Sequence, residues 1–319
     1  MTRNSPSNES PPKVADVEIA ICSYRRPELL RQTLDSIARC EIPSGVRCRF
    51  IVVNNAAENI EDPTDLVCQS FAKRSAEQHD LVLAHEPKTG HTFARNRAIE
   101  IATGDLLIWT DDDVLVDSQW IKSYIDAANQ NPKQTFWGGH IVPTFRPERP
   151  KWIEENWDNL KGCFAERNLG DQPIEFTQQH LPYGANFAIR TSVQKQFQFD
   201  TELGRRADMV LGEDELDLFR RLLESGHGGS WVPESSLQHL ISKDRATESY
   251  VWDYFVGQGR ALVAKQQNWH SGSSRFLGTT IWNVLMWKFK RQFAGSDVWT
   301  SHLIRAALAQ GQRQALRSK

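Results

Sequence analysis

Nowhere in these 319 residues is an apolar run long enough to span a bilayer. The best candidate, FLGTTIWNVLMW, is too short and carries polar residues, which excludes it as a transmembrane helix. Cysteine is scarce: Cys22, Cys40, Cys48, Cys68 and Cys163 include no CxxC pair and no metal-ligand spacing. That argues against a zinc or disulfide framework and for reduced thiols in a cytoplasm. The opening MTRNSPSNESPPK has no apolar core of a signal peptide, and its Ser, Pro and Asn content predicts a disordered tail over residues 1–15. No glycine- and lysine-rich phosphate loop follows the first apolar run, since SYRRPE holds no glycine. There is no internal repeat.

What remains is an ordinary globular composition, 39% hydrophobic and 24% charged, in a chain long enough for one large domain with an appendage or for two domains. Tryptophan is over-represented, with eleven against three methionines. Tryptophan lines carbohydrate sites and membrane interfaces, and it also fills cores. The net charge of −2 hides an asymmetry. From Phe255 onward ten Lys/Arg face one Asp, a charge of +9, while the first 254 residues hold 28 Lys/Arg and 39 Asp/Glu, a charge of −11. The acidic part disfavours nucleic-acid binding, and the basic end has a different task.

Along the chain, short apolar runs alternate with amphipathic segments. VEIAICS predicts a buried strand, and PELLRQTLDSI a helix with Pro27 in its first turn. RFIVVNN and DLVLAHEP read as two more strands, and GHTFARNRAIEIATG as a helix closed by Gly104. LLIWT then runs into three aspartates, followed by a helix from about Ser118 to Asn129. Strands alternating with helices predict a parallel, doubly wound sheet with ligands at its carboxyl edge. The polar turns after the first, second and fourth strands lie on that edge. Further on, TFWGGHIVPTF reads as a strand, Trp152 to Trp157 as a helix within a long polar and aromatic stretch, and YGANFAIRTSV as strand into helix. LGEDELDLFRRLLESG reads as a helix stopped at Gly226, and HGGSWVPESSLQHLIS as a short strand and loop.

Three carboxylates at a strand's end repel one another unless a cation sits among them. Asp111-x-Asp113 can bind a divalent cation that in turn holds a diphosphate, although a bare acidic cluster also occurs as a solvated helix cap. Glu213 and Asp214 open a helix some hundred residues later, where dipole complementation is enough to explain Glu215 and Asp217. His239 follows a strand, a place for a structural histidine or a metal ligand.

In this order, ICSYRRPELL, FIVVNNAAEN, ARNRAIEIATGDLLIWTDDDV, YGANFAIRTSV, FDTELG and GEDELDLFRRLLESG resemble the successive motifs of glycosyltransferase family 2, over roughly Val17 to His239. The likeness is greatest to bacterial enzymes of exopolysaccharide assembly. The resemblance implies an α/β protein of the GT-A fold, with a doubly wound, mostly parallel nucleotide-binding sheet flanked by helices. It implies a catalytic domain over 16–245 and a basic helical region over 246–319. The implied activity is inverting transfer of a hexosyl group from a nucleotide-diphosphate sugar to a glycan or lipid-linked acceptor. A UDP-sugar stands ahead of GDP- and dTDP-sugars.

By that resemblance Asp113 coordinates Mn2+ or Mg2+, Asp111 faces the ribose or shares the metal, and Asp112 faces solvent or the sugar. Asp214 is the catalytic base and Glu213 orients the loop or the acceptor. His239 stands where some members supply a further metal ligand. Ser23, Tyr24, Arg26, Asn54 and Arg95 fall in the nucleotide-sugar site. Asn54 replaces a frequent Asp and Arg25 a frequent Asn, which leaves the base open.

Trp282, Leu285, Met286, Phe289 and Phe293 fall on one helical face with Lys290 and Arg291 opposite, while Trp287 and Lys288 break the pattern. The expectation is a helix packed on the catalytic domain, or one resting peripherally on the cytoplasmic face of a membrane. Two other classes compete. A non-catalytic carbohydrate-binding relative is expected to have lost Asp113 or Asp214, and a metal-dependent nucleotidyltransferase to carry a Gly- and Lys-rich loop.

Overall fold

The computed structural model describes residues 13–56, 63–75, 79–204, 214–265 and 274–317. Glu213 and most of the expected N-terminal tail lie outside them. The chain runs β1 (Asp16–Ser23), α1 (Pro27–Ile37), β2 (Arg47–Asn54), α2 (Pro63–Ser75), β3 (Asp80–His85), α3 (His91–Ile101) and β4 (Leu106–Asp111). It continues through β5 (Val114–Val116), α4 (Trp120–Gln130), β6 (Gln134–Phe145), α5 (Lys151–Glu154) and α6 (Trp157–Leu160) to β7 (Asn186–Arg190) and α7 (Thr191–Gln194). Last come α8 (Asp214–Glu224), β8 (Gly228–Ile241), α9 (Glu248–Lys265), α10 (Ser274–Lys290) and α11 (Ser296–Arg317).

Two compact units divide the chain. The first runs to Val142, takes in Arg167–Gly204 and ends at His239. The eight strands form one sheet in the order β3-β2-β1-β4-β7-β6-β8-β5. β3, β2, β1 and β4 pair in parallel, as the alternation of strand and helix predicts. From β7 onward the registered pairs are antiparallel, so the parallel character belongs to the first four strands. Alternate residues of these strands feed opposite faces of the sheet. Ile19 and Ile21 of β1 join Phe50, Val52, Leu106 and Ile108 in a core with Leu30, Leu34 and Ile37 of α1. Ala20 and Cys22 join Ile51, Val53, Leu107 and Trp109 in another, with Ala94 and Ala98 of α3 and Leu218 and Phe219 of α8. A strand buried on both faces reads as an unbroken apolar run, which is why β1, β2 and β4 stand out in the sequence.

Two expectations change. Helix α3 ends at Ile101 with Ala102 as its cap in an extended conformation, so Gly104 is not the stop. A Cβ on Gly104 would lie 2.9 Å from the Asp16 carbonyl oxygen, so the glycine lets the chain pass close to β1. The segment expected as a short strand and loop is the fourteen-residue strand β8. Its polar centre resembles a turn, but Ser235 is fully buried, donates to the Trp120 carbonyl at 3.3 Å and accepts from Asn186 through its own carbonyl at 2.8 Å.

The second unit holds Pro143–Glu166 together with the described chain from Leu240 onward, and so reaches further than the expected 246–319. The reason is apolar: Phe145, Ile153, Leu160 and Phe164 share a core with Val251, Trp299 and Leu303. Trp152 meets Trp299 with ring centroids 5.4 Å apart, and Trp157 stacks on Phe164 at 6.0 Å. No described helix is long and apolar enough to cross a membrane.

Candidate active site

The parallel register sets the ends of the first four strands side by side. Ser23 pairs with Asn54, Asn54 with His85, and Cys22 with Asp111. Beyond Asp111 the chain makes a tight turn into β5, whose Val114 pairs with His239 of β8. That antiparallel pairing carries the histidine to the acid cluster, with Nε2 3.5 Å from Asp113 Oδ1.

Only Asp111 of the three aspartates is appreciably open. Asp112 is fully buried and accepts a 2.7 Å hydrogen bond from the Ser23 hydroxyl. The Arg26 guanidinium bridges Asp112 and Asp113, with Nη1 2.8 Å from Asp113 Oδ2. Of the two expectations for Asp112, solvent or the sugar, burial removes the first: the carboxylate anchors the turn that follows β1 through Ser23 and Arg26. Burial pushes its carboxyl up to about 7, against the pull of Arg26. Burial opposes the charge of Arg26, and the three aspartates raise its pKa regardless. Arg25, one residue earlier, sits at φ 53° in the left-handed region, where asparagine or glycine is at ease and arginine is strained.

A second cation, this one buried, organises the other side. Arg95 on α3 has 2% of its side chain exposed. Its Nη1 lies 2.8 Å from Asp214 Oδ2 and 2.7 Å from Glu215 Oε1, and its Nη2 lies 4.0 Å from Asp111 Oδ1. Arg95 thus joins the acid-ended strand β4 to the acidic start of α8, two motifs about a hundred residues apart. Burial disfavours its charge, but Glu215, Asp214 and Asp111 outweigh that and raise its pKa. Glu215 is therefore part of the site and not merely a dipole-complementing acid. Asp217 does conform to that simpler reading, since it pairs with Arg221 at 2.7 Å along its own helix. Gly184 explains the YGANF motif: a Cβ there would fall 1.9 Å from Glu215 Oε1 and 2.8 Å from Arg95 Nη2. Two residues on, buried Asn186 accepts from Trp120 and Tyr124 at 2.7 Å and donates to the His140 and Ser235 carbonyls.

The base side differs from the expectation. Asn54 is fully buried and its amide is consumed internally, donating to Asp65 Oδ1 at 2.8 Å and accepting from the Ala56 amide at 2.9 Å. Asp65 is held in turn by His85 Nε2 at 2.8 Å. Next to it, Asn55 donates to the Glu86 and Lys88 carbonyls and accepts from the Gly90 amide, which fixes the approach to α3. Tyr24 stands exposed at the same edge. Asp65 and His85 carried no readable signal, because each lies in a helix or strand segment without a motif of its own, and His91 opens α3 three residues before its motif begins.

The donor chemistry suits a divalent cation. Asp113 and His239 offer hard oxygen and imidazole nitrogen side by side, and a positive guanidinium already lies on the acid pair. Among the described residues, however, the three groups whose ligand atoms all come within 4.8 Å of one another are His91, Asp214 and Glu215, not Asp111, Asp113 and His239. Asp111 is the member held apart, on the Arg95 side.

A model of glycosyl transferase family 2 matches residues 18–193, more than half of the chain. The succinoglycan biosynthesis protein ExoM of Rhizobium meliloti is 26% identical over 245 residues, 76% of this chain and 72% of the relative. The glucosyl-dolichyl phosphate glucuronosyltransferase of Haloferax volcanii is 26% identical over 234 residues, 72% of this chain and 70% of the relative. Among solved structures, the mannosyltransferase PcManGT of Pyrobaculum calidifontis, in complex with GDP-Man and Mn2+, superposes with a TM-score of 0.61 at 15% identity, covering 99% of this chain and 92% of that one. At that identity the likeness is one of fold, the GT-A fold.

Proposed function

This chain belongs to glycosyl transferase family 2, and we propose that it is an inverting, metal-dependent hexosyltransferase. It would move a sugar from a nucleotide-diphosphate donor to a glycan or lipid-linked acceptor in bacterial polysaccharide assembly. One observation carries the reading: the Asp111–Asp113 turn, Arg26 and Arg95, all within the family segment, meet Asp214 and His239, which lie beyond it, at the carboxyl ends of parallel strands. The relatives named for succinoglycan and dolichyl-phosphate glycans support the acceptor class, and the structure bound to GDP-Man and Mn2+ supports the donor class and the metal.

In this reading Asp113 and His239 hold Mn2+ or Mg2+, with Asp111 joining the metal or the ribose. The metal, when bound, supplies positive charge beside the departing diphosphate. Asp214 takes the proton of the acceptor hydroxyl as that oxygen forms its bond to the anomeric carbon from the face opposite the leaving group. Arg95 holds one oxygen of the Asp214 carboxylate at 2.8 Å and so fixes its orientation. Glu213, outside the described residues, would orient the acceptor. Ser23 and Asn54 act on the nucleotide by holding Asp112 and Asp65 in place, and Tyr24 supplies an aromatic face. A UDP-sugar is the first candidate donor. The C-terminal region would meet the cytoplasmic face of the membrane, where a lipid-linked acceptor resides.

Thermal-shift measurements with UDP-, GDP- and dTDP-sugars, each with Mn2+, Mg2+ or a chelator, test the reading. One sugar nucleotide is expected to raise the melting temperature only when the metal is present. Stabilisation by none, or stabilisation indifferent to the chelator, overturns it.

A further inference from the structure

Helix α10 carries apolar side chains on two opposite faces. At about 100° per residue, Ile281, Trp282, Leu285 and Phe289 span about 100° of its circumference. Thr280, Asn283 and Trp287 lie on the other side. That second side is covered within its own unit: Trp287 stacks on Trp252 with centroids 5.8 Å apart, and Asn283 Oδ1 meets His302 Nδ1 at 2.8 Å. The break in the sequence pattern at Trp287 is thus explained, since this residue anchors the helix. The first side is bare. Ile281, Trp282, Leu285 and Phe289 are between 52% and 61% exposed, and Phe293 in the following turn reaches 75%. Single exposed apolar residues need no explanation, but four on one helix face with a fifth in the turn that follows do.

The charge around this face selects its occupant. Between Ser274 and Phe293 there is no Asp or Glu. Lys288 is exposed at the edge of the apolar face, while Lys290 and Arg291 lie further round the helix. Arg291 is partnered by Glu248 at 2.7 Å. An aromatic and aliphatic face on a basic, acid-free helix without the length and apolarity to cross a bilayer fits one lying in an interface of anionic lipid.

We propose that the Ile281–Phe293 face of α10 is where this protein inserts into an anionic membrane surface. The inference rests on the membrane contact proposed above for the C-terminal region and assigns that contact to one face. Its test is co-sedimentation of the full chain with vesicles of equal parts phosphatidylglycerol and phosphatidylcholine, against phosphatidylcholine alone. Alongside go a Trp282→Ser/Leu285→Ser/Phe289→Ser variant and a Lys288→Glu/Lys290→Glu variant, each checked by circular dichroism and thermal melting. The wild type is expected to pellet with the anionic vesicles, and both variants to bind at least tenfold more weakly with unchanged melting. Full wild-type binding by both variants overturns this face while leaving a membrane role for the rest of the region. A wild type that stays in the supernatant at low salt overturns both. Equal binding to neutral vesicles overturns the choice of lipid. A lipid-free dimer that the apolar variant converts to monomer makes a second copy the occupant and overturns the proposal.

A separate observation concerns the acid pair. The Arg26 guanidinium bridges Asp112 and Asp113 through Asp113 Oδ2, while His239 faces the other oxygen of the same carboxylate, Oδ1. We infer that the positive charge of Arg26 on this carboxylate opposes a metal bound between Asp113 and His239, so that this arginine sets the metal affinity. This rests on Asp113 being a metal ligand. Mn2+ titration followed by electron paramagnetic resonance, without nucleotide, reads it directly. Arg26→Met is expected to bind Mn2+ several-fold more tightly than the wild type. Equal or weaker binding overturns the role of Arg26, and absence of Mn2+ binding in both proteins overturns the metal assignment itself.

Discussion

The strand ends of the first unit and helix α10 of the second break the ordinary rule of burial in opposite senses. At the strand ends ionisable groups are taken out of water: Arg95, Asp112, Asp113 and Asp214 are each at most 3% exposed. On α10 large apolar groups are left in it, up to 75% exposed at Phe293. Neither arrangement favours folding. Buried charges carry a desolvation penalty that their pairing only partly offsets, and exposed apolar area forgoes the hydrophobic gain. Where a chain tolerates both, each departure is a candidate site for something outside the fold. Under the proposed function and the proposed membrane contact, the first receives a charged small molecule and the second an apolar and anionic surface.

The comparison can be broken most severely at Asp214. Asp214→Asn keeps the shape and removes the basicity, so turnover is expected to fall by about 10²–10⁴ in steady-state assays while donor binding survives. Near-normal turnover moves the base to another residue. Next is Arg95, whose removal leaves Asp214 and Glu215 without their shared cation. Arg95→Met is expected to lower unfolding free energy by about 3–5 kcal/mol in denaturant titration. Arg97→Met is the control, since its exposed pair with Glu100 at 2.8 Å contributes under about 1 kcal/mol. Similar losses for both variants would mean that the network is not dry.

Cys22 reports on the same dryness. Burial pushes its thiol up to about 12 in spite of Arg95, so at pH 8 the thiolate is scarce and alkylation by iodoacetamide should await unfolding. Cys40 and Cys48, also raised by burial, should behave alike, and raising the pH from 7 to 9 should leave all three protected in the native protein. The smallest effect is expected at the turn. Arg25→Gly relieves the left-handed backbone and should stabilise by up to about 1 kcal/mol in the same denaturant titration.

The sequence made the first unit legible because strands buried on both faces leave unbroken apolar runs, and because Asp111–Asp113 and the GED motif carry chemistry in a recognisable order. What escaped it is tertiary. Glu215 resembled a helix-start acid until Arg95 and Gly184 were placed against it. Asp112 and Asn54 resembled ligand contacts, and both are consumed by internal partners, Ser23 and Arg26 for one and Asp65 for the other. The β5–β8 pairing that delivers His239 rests on a three-residue strand and on polar residues satisfied at a distance, neither of which has a periodicity to read. On α10 the residues were visible but the sides were not. Periodicity alone does not say which apolar face is covered, and Trp287 settles it by stacking on Trp252.

The central claim is that the charges buried at the strand ends serve to hold a metal and a diphosphate. Calorimetric titration tests it most directly, using the nucleoside diphosphate of the donor found by thermal shift, with Mn2+ and with chelator, on the wild type and Asp113→Ala. The account predicts saturable binding to the wild type with Mn2+, lost on chelation and lost in Asp113→Ala while its circular dichroism spectrum is unchanged. Equal affinity with and without chelator, or wild-type affinity in Asp113→Ala, would contradict it.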